Sequence, residues 1–587
     1  MTACAIIQAR MGSSRFPGKM LADLAGRPVL WHVAHRLRRC AAVSYIILAT
    51  SEAPGDAPLA AAAAGMGLTV VKGPEADVLR RFALALEHTD APVILRICGD
   101  SVLIDPGLID RLVTLLASGA GDYPRVTTPC SDCGIDAVSR RLLERIIREK
   151  ADHPVAVEHV TGYLGVDPGF GAAAELSLPG EDRHLPGARF SIDTPADLEF
   201  MRVLHREMNA PAGEIDFVAA VAFLKARPEL LEINAHVRQR RADETAPSVV
   251  IRCDASAALG LGHLVRCLAV AAALRDRFSA AVTFAFGGDP AFADTVREQA
   301  FPVSLLSGSD PASELAAVLA ETRAGVVLMD LRTPCNAAEI AAVRTAGCRL
   351  ALLDDGGERR LAADLAFYPP SGRDLDWSGA RGERLVGWDW LALRPQFSPP
   401  PARRPAEPPM ALILAGGSDP RRLRVRLLRV AAGALPADWR ITLVLGRATA
   451  ADAGANAAID ALAAALGSRL TIAHDVADMA TLMAGASLAV SVFGGTAYEL
   501  AATGVPAILL GLDADHVRSA SFLAEAGAAL CLGVAGEEND EILGRAIAGL
   551  AADSGRRSRM SAAGRALIDG LGARRIAERL ARSEGQG

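Results

Sequence analysis

Apolar positions along this 587-residue chain fall into two alternating rhythms. Short, nearly continuous apolar runs predict buried strands at Cys4–Ile7, Tyr45–Ala49, Thr69–Val71 and Val93–Ile97. Between them, apolar residues three and four apart predict helices such as Pro28–Arg39 and Asp77–Glu87. Strand–helix alternation predicts an α/β fold whose strands are joined by helical crossovers. The rhythm restarts at the strand Val249–Ile251 and again at Met410–Leu414, so three α/β blocks are expected. Two polar breaks separate them. Residues 236–248, rich in arginine and acids, read as a linker. Residues 396–409, QFSPPPARRPAEPP, hold too many prolines for helix or interior strand and predict a stiff, extended connector. The expected blocks are 1–235, 249–395 and 410–581, the last two being Rossmann-like lobes facing each other across a cleft.

Composition removes several function classes. The hydrophobic content of 51% comes largely from alanine, and no run long enough to span a bilayer is free of charge and turn signals. The apolar stretch before Arg10 is too short for a signal peptide, so a cytoplasmic protein without a membrane partner is expected. A net charge of −6, with basic residues scattered among acids, argues against nucleic acid as a partner. Ten irregularly spaced cysteines fit reduced thiols better than a disulfide framework. Cys130 and Cys133 form a CxxC, but zinc would need a second pair or suitably spaced histidines.

The chemistry begins in the first loop. IIQARMGSSRFPGK, from Ile6 to Lys19, opens from the first strand into a turn of small and basic residues. Gly12, Ser13 and Ser14 let backbone N–H groups approach a phosphate, and Arg10, Arg15 and Lys19 supply positive charge. The chain otherwise uses arginine, its only lysines being Lys19, Lys72, Lys150 and Lys225. A lysine kept in this loop points to a need for a compact point charge. Val93–Ile97 ends in Cys98-Gly99-Asp100, which puts Asp100 at the carboxyl end of the sheet. Arg189-Phe190-Ser191-Ile192-Asp193 puts a second acid at an expected strand end, before the helix start Thr194-Pro195. Two such carboxylates can hold Mg²⁺ against a nucleoside triphosphate; alternatively, Asp193 caps the helix after it.

ADVLRRF (76–82), RICGDSVLIDP (96–106), EHVTGYL (158–164) and FSIDTPADLE (190–199) follow in order. With the first loop, they make residues 1–210 resemble the cytidylyltransferases of the spore-coat-polysaccharide and CMP-sialic-acid-synthetase type. The resemblance implies CTP as donor and a sugar acid as acceptor, the sugar hydroxyl attacking the α-phosphate in line. It implies that Arg10, Gly12, Ser13, Arg15 and Lys19 bind the triphosphate, with Lys19 also catalytic, and that Asp100 and Asp193 hold Mg²⁺. Gly134-Ile135-Asp136 matches a family segment near the sugar pocket, which makes Asp136 a substrate-binding candidate. Ser101-Val102 departs from the family, which often has a proline there, and this changes loop stiffness but not charge. A homodimer through this domain is left open.

A second site is predicted in IRCDASAALGLGHLVRCLAVAAAL, Ile251 to Leu274, which reads as strand, glycine turn and helix. Gly260-Leu261-Gly262-His263 puts a histidine at the helix N-terminus, and the imidazole suits acid–base work near neutrality. Asp254, at the strand end, is placed to orient that histidine or to touch substrate. In the third block, SVFGGTAYELAATGVPAILLG (491–511) offers Gly494, Gly495 and Thr496 to a diphosphate at a helix N-terminus, with Glu499 towards a ribose. LAGGSDP (414–420) provides a second glycine turn through Gly416 and Gly417.

RCDAS…GLGHLVRC, GGSDP and GGTAYELAATGVP together make residues 249–575 similar to the UDP-sugar hydrolase of pseudaminic acid biosynthesis, a relative of the two-lobed (GT-B-like) glycosyltransferases. The resemblance implies that His263 activates water against the anomeric carbon of a UDP-linked diacetamido-trideoxy sugar, releasing UDP, with no cofactor. Asp354-Asp355 falls near a family acidic pair, Asp355 being a substrate-binding candidate. His516, with Asp515, stands where relatives often carry Asn-Gln, so sugar selectivity or phosphate contacts are expected to differ there. The combined expectation is a bifunctional enzyme of nonulosonic acid biosynthesis whose partners are CTP, a nonulosonic acid and a UDP-sugar. Two alternatives stay open: a cytidylyltransferase fused to a UDP-sugar-dependent glycosyltransferase, or to a non-catalytic sugar-nucleotide-binding module.

Overall fold

The computed structural model describes residues 3–131, 134–178, 182–238, 246–256, 261–370, 375–415, 419, 422–446, 453–536 and 540–582. The chain divides into two compact units, Met1–Ala246 and Pro247–Gly587.

The first unit is built on one sheet of β1 Ala3–Gln8, β2 Val43–Ser51, β3 Thr69–Gly73, β4 Val93–Cys98 and β5 Ile135–Ser139. Their order is β3-β2-β1-β4-β5, parallel except for β5, which runs antiparallel to β4. β1 shows why the apolar runs do not alternate with polar residues. Ala3, Ala5 and Ile7 face one core while Cys4 and Ile6 face the other, and a strand covered on both faces needs apolar residues throughout. Strand order reverses between β1 and β4, so the loops that follow them open on one crevice.

The second unit holds two parallel sheets. One comprises β6 Ser248–Ala255, β7 Ala281–Gly288, β8 Val303–Leu305, β9 Val326–Asp330, β10 Arg349–Leu353, β11 Leu365–Tyr368 and β12 Glu383–Val386, in the order β8-β7-β6-β9-β10-β11-β12. The other comprises β13 Met410–Leu414, β14 Arg440–Leu445, β15 Leu470–His474, β16 Leu488–Val492, β17 Ala507–Gly511 and β18 Ala529–Val534, in the order β15-β14-β13-β16-β17-β18. Each has the doubly wound Rossmann order, with its reversal beside its first strand: β6/β9 in one, β13/β16 in the other. Both sheets are buried on two faces, Leu412 and Leu414 lying in one core and Ala411 and Ile413 in another.

Two segments cross out of the blocks expected for them. The final helix, Gly572–Ala581, buries Ala573, Ile576, Ala577 and Leu580 with Val249 and Ile251, so it completes the first lobe rather than the 410–581 block. Leu391, Leu393 and Phe397 go the other way, into the core beneath β13. The proline-rich connector is docked rather than free. Arg404 and Ala406 donate backbone N–H bonds to the Ala484 and Gly485 carbonyls, and Arg403 Nη1 reaches the Ala486 carbonyl at 2.5 Å.

Candidate active sites

The loop after β1 folds on itself before it reaches Lys19. The Met11 carbonyl accepts the N–H groups of Ser13 at 2.9 Å and Gly18 at 3.0 Å, and Met11 N–H donates to Asp56 at 2.5 Å. Only glycine fits at position 99, where this loop meets the turn after β4. A Cβ there would lie 2.7 Å from Met20 Cε and 2.8 Å from Ala9 Cβ. That close approach sets Lys19 between two carboxylates, Nζ lying 2.5 Å from Asp100 Oδ2 and 3.4 Å from Asp193 Oδ1. Arg15 Nη2 is 2.8 Å from the same Asp193 oxygen, and Arg189 Nη2 is 3.1 Å from the other. Burial pulls the Lys19 pKa down, but the two carboxylates outweigh it and hold the ammonium above its usual range. Burial pushes Asp193 up, but Lys19, Arg15 and Arg189 outweigh it and bring its carboxyl down to about 2.

Asp193 arrives by a route the sequence reading missed. Residues 190–193 form no strand; a single antiparallel bridge joins Ser191 to Ser101, and Ile192 N–H donates to the Asp100 carbonyl at 3.0 Å. Nor is Asp193 the cap of the helix Pro195–Glu207. Thr194 is, in a capping box closed by Asp197. Asp193 is therefore held beside Asp100 for a reason other than ending the helix.

The remaining predicted residues spread out around this centre. Arg10 turns to Glu75 at 3.3 Å, and Gly12 is exposed. Ser13 is spent on the loop itself, its N–H on Met11 and its hydroxyl accepting from Phe16 N–H at 3.2 Å. Asp136 faces Arg96 across β4 and β5, Oδ2 receiving Arg96 Nη1 at 2.6 Å and Thr161 Oγ1 at 2.7 Å. Arg96 Nε also donates to Gln8 at 2.9 Å. Among the described residues no group of three or more His, Cys, Asp or Glu converges for a metal. Two hard carboxylates on one cation fit Mg²⁺, which characteristically takes one or two carboxylates and fills its shell with phosphate and water. Of the CxxC pair, Cys133 lies outside the described residues.

The Asp193 shift has a sign that can be tested. A depressed carboxyl contributes stability that is present above its ordinary value of 3.8 and is lost as pH falls towards about 2. From pH 4 to pH 2 the native chain is expected to lose more stability than Lys19→Met, measured by chemical denaturation at each pH. Equal losses would contradict the pairing.

In the second unit, His263 lies in the first turn of the helix Gly262–Phe278, at the carboxyl end of β6. Its carboxylate partner is not Asp254 but Asp330, the last residue of β9 across the strand-order reversal, with Nδ1 2.6 Å from Oδ1. Arg266 grips both Asp330 oxygens, Nε on Oδ2 and Nη2 on Oδ1 at 2.6 Å, and its Nη1 reaches Asp354 Oδ2 at 3.2 Å. Burial works to raise the Asp330 pKa, but Arg266 and then His263 hold it well below the carboxylate range. On the other ring nitrogen, Arg332 Nε donates to His263 Nε2 at 3.2 Å, and its Nη2 meets Asp354 at 3.1 Å. Nδ1 also lies 3.1 Å from Arg266 Nη2; with the Asp330 carboxylate as acceptor at Nδ1 and Arg332 as donor at Nε2, the contacts match a ring proton on Nδ1 and a lone pair on Nε2.

Two predicted roles need correction. Asp254 does not orient His263; it pairs with Arg252, which also binds Glu339 at 3.0 Å. Asp355 does not line the His263 cluster, and its neighbour Asp354 does. Asp355 is spent internally, Oδ1 receiving Gly357 N–H at 2.6 Å and Oδ2 receiving Arg359 Nε at 2.7 Å, with both side chains 1% exposed. Breaking a buried pair of this kind costs about 3–5 kcal/mol. Asp355→Ala is accordingly expected to lower stability by about that amount in denaturant titration, without a selective rise in KM for a sugar nucleotide.

In the last sheet, the helix Gly495–Thr503 starts at the carboxyl end of β16, with Gly495 exposed and Thr496 half-buried. His516, in the first turn of the helix Ala514–Glu525, is brought to this turn by its ring, 5.8 Å from that of Phe493. Two helix N-termini therefore face one edge, an arrangement suited to an anion. Glu499 is buried, and both its oxygens are taken by Arg394 Nε and Nη2 at 2.6 Å each. Arg394 has no signature in the sequence. Gly260, Gly416 and Gly417 lie outside the described residues.

A mostly parallel sheet with a basic loop and paired carboxylates at its strand-order reversal defines the first unit as a nucleotidyltransferase domain. Residues 4–219 match the cytidylyltransferase family, and through them the chain belongs to that family. It is 34% identical over 232 residues to the spore coat polysaccharide biosynthesis protein SpsF of Bacillus subtilis (strain 168), a match covering 38% of this chain and 94% of that protein. It is 42% identical over 124 residues to the 3-deoxy-manno-octulosonate cytidylyltransferase of Nitratidesulfovibrio vulgaris (strain DP4), covering 20% of this chain and 48% of the relative. Among solved structures, MurG of Acinetobacter baumannii aligns with 57% of this chain and 99% of its own at 17% identity and a TM-score of 0.42. The second unit has two Rossmann-like lobes, each a parallel sheet whose strand order reverses beside its first strand. No helix among the described residues is long and apolar enough to cross a membrane.

Proposed function

We propose that the chain is a bifunctional cytoplasmic enzyme of nonulosonic acid biosynthesis, of the pseudaminic type. The first unit transfers CMP from CTP to the sugar acid, and the second hydrolyses a UDP-2,4-diacetamido-2,4,6-trideoxy hexose to the free sugar and UDP. The observation that carries the hydrolase reading is the His263–Asp330 pair, 2.6 Å apart and locked by Arg266. With the proton on Nδ1 facing Asp330, Nε2 is the basic nitrogen. It takes a proton from water as the water oxygen bonds to the anomeric carbon, and the bond from that carbon to the UDP oxygen breaks with its electron pair leaving on UDP. Arg332, which donates to Nε2 at 3.2 Å, must yield that position to the water. The helix N-termini at Gly495 and His516 suit the diphosphate.

In the first unit, Arg15 and Lys19 bind the triphosphate, and Asp100 and Asp193 would hold Mg²⁺, which would supply neutralisation of charge on the α-phosphate and departing pyrophosphate. Lys19 exchanges a carboxylate partner for phosphate without losing an ionic contact, which keeps the buried ammonium paired. The test is one preparation of the whole protein. UDP release is followed from the UDP-diacetamido sugar without any acceptor, and pyrophosphate release from CTP with the nonulosonate. A UDP-sugar left intact until an acceptor is added would replace the hydrolase with a glycosyltransferase. Binding of both nucleotides with neither product would leave a sugar-nucleotide-binding module.

A further inference from the structure

The helix Val29–Arg38 buries two polar side chains one turn apart, His32 and Arg36, in a face otherwise built of residues such as Val29, Val33 and Leu37. Each is spent on a carbonyl beside the Lys19–Asp100 pair. His32 is fully buried, and its Nε2 lies 2.7 Å from the Leu24 carbonyl. A carbonyl only accepts, so Nε2 carries the ring proton. Leu24 belongs to the hairpin of Asp23–Leu24 and Arg27–Pro28, which follows directly on the turn Lys19–Leu21. Arg36 donates Nε to the Val102 carbonyl at 3.1 Å, and Val102 N–H in turn reaches the Asp100 carbonyl at 3.1 Å. One helix therefore grips the chain on both sides of the pair. The other ring nitrogen of His32, Nδ1, is buried and meets no hydrogen-bond partner among the described residues.

We propose that His32 is a positioning residue for cytidylyl transfer, its neutral ring fixing the segment behind Lys19 to the helix that fixes the turn of Asp100, and that protonation in mild acid frees this segment. The proposal rests on the cytidylyl-transfer reading of the first unit. A proton added at Nδ1 finds no acceptor, and both an unpaired buried donor and an uncompensated buried charge are costly. The titratable groups acting on the ring are all basic: Arg36 and His35 on its own helix, and His205 of the helix Pro195–Glu207, whose ring is 5.5 Å away. On the hairpin, Asp23 and Arg27 are exposed, and Arg27 lies over Trp31 at 5.2 Å. Burial above all, with the basic neighbours behind it, pushes His32 down from 6.5 to about 4 against the opposing pull of the Leu24 carbonyl. The ring is neutral while the contact holds and takes a proton more readily once it opens. The closed form is thus favoured in full above pH 6.5, and that advantage is lost as pH falls towards about 4.

Hydrogen exchange on the full chain, read over residues 19–29 and corrected for the pH dependence of intrinsic exchange, tests this, with calorimetry of CTP and Mg²⁺ beside it. Between pH 7.5 and 5.5 the opening equilibrium of this segment in the native protein is expected to rise about tenfold, while β2 keeps its protection. His32→Gln can donate an amide N–H to the same carbonyl but does not titrate. It is expected to keep native protection and CTP affinity at pH 7.5 and to show no such rise in acid. His32→Leu is expected to lose protection at both pH values, and about tenfold or more in CTP affinity through misplacement of Lys19. A native segment whose opening is indifferent to pH would overturn the proposal even if neither variant folds, and so would a His32→Gln chain that opens in acid as the native does. Native CTP affinity in His32→Leu would overturn the positioning role. A native chain that binds no CTP would instead overturn the cytidylyl-transfer reading, while the exchange arms still decide whether His32 holds the segment.

Discussion

Full-length protein carrying His263→Ala is expected to release UDP from its sugar nucleotide about 10²–10⁴-fold more slowly, the usual range for loss of a general base, with pyrophosphate release from CTP unchanged. The second activity serves as an internal control for folding, because the CTP site is built wholly from residues of the first unit. Asp330→Asn separates positioning from bulk. An amide in place of the carboxylate can present its NH₂ group to Nδ1 and favour the wrong tautomer, and it also deprives buried Arg266 of its main counter-charge. It is expected to cost nearly as much rate as His263→Ala, mostly in kcat, and to lower stability as well. Arg332→Ala gives the complementary readout. If Arg332 merely occupies Nε2 in the resting enzyme, its loss leaves the base intact, and neither a fall in kcat nor a rise in KM is expected. His263→Ala protein that still releases UDP at the native rate would remove the histidine from the chemistry.

Much of this arrangement is legible in the sequence because parallel strands buried on both faces must be apolar throughout. Met410–Leu414 is read to the residue, and Val93–Ile97 ends one residue short of the observed strand. Polar residues just beyond such runs stand at the carboxyl edge of a sheet, which makes Asp100 legible, while His263 is legible from the glycine turn that opens its helix. The same signal was present at Val326–Asp330, an apolar run closed by an acid, yet Asp330 was passed over for Asp254. The difference lies in topology: β9 adjoins β6 only because strand order reverses there, and sequence distance favours the nearer acid. Arg189 and Arg394 were hidden for a related reason. Arg394 meets Glu499 across 105 residues, so no spacing announces it, and Arg189 stands four residues before Asp193 but outside any helix that would give that spacing meaning. The crossing of Gly572–Ala581 into the first lobe is likewise invisible, since an amphipathic helix does not specify which core it will cover.

Asp100→Asn is expected to reduce pyrophosphate release by about 10²–10³-fold, the cost of removing one electrostatic contact at a reacting centre, while UDP release stays at the native rate. The reason is the economy of charge around Lys19. Lys19 is 9% exposed and its ammonium lies between Asp100 and Asp193, which also takes Arg15 on the oxygen facing Lys19 and Arg189 on the other. Removing the Asp100 charge leaves three cations sharing Asp193. That carboxylate is then drawn more firmly into the protein and is less available to a metal. Added Mg²⁺ should therefore rescue the variant only weakly, and its affinity for CTP alone should change less than its turnover. Lys19→Arg separates charge from shape. The charge is kept, but a planar, forked guanidinium must meet the two carboxylates that a single ammonium meets at 2.5 and 3.4 Å. A loss of at least tenfold in this variant would establish that the site needs a compact point charge there, and full activity would show that any cation serves.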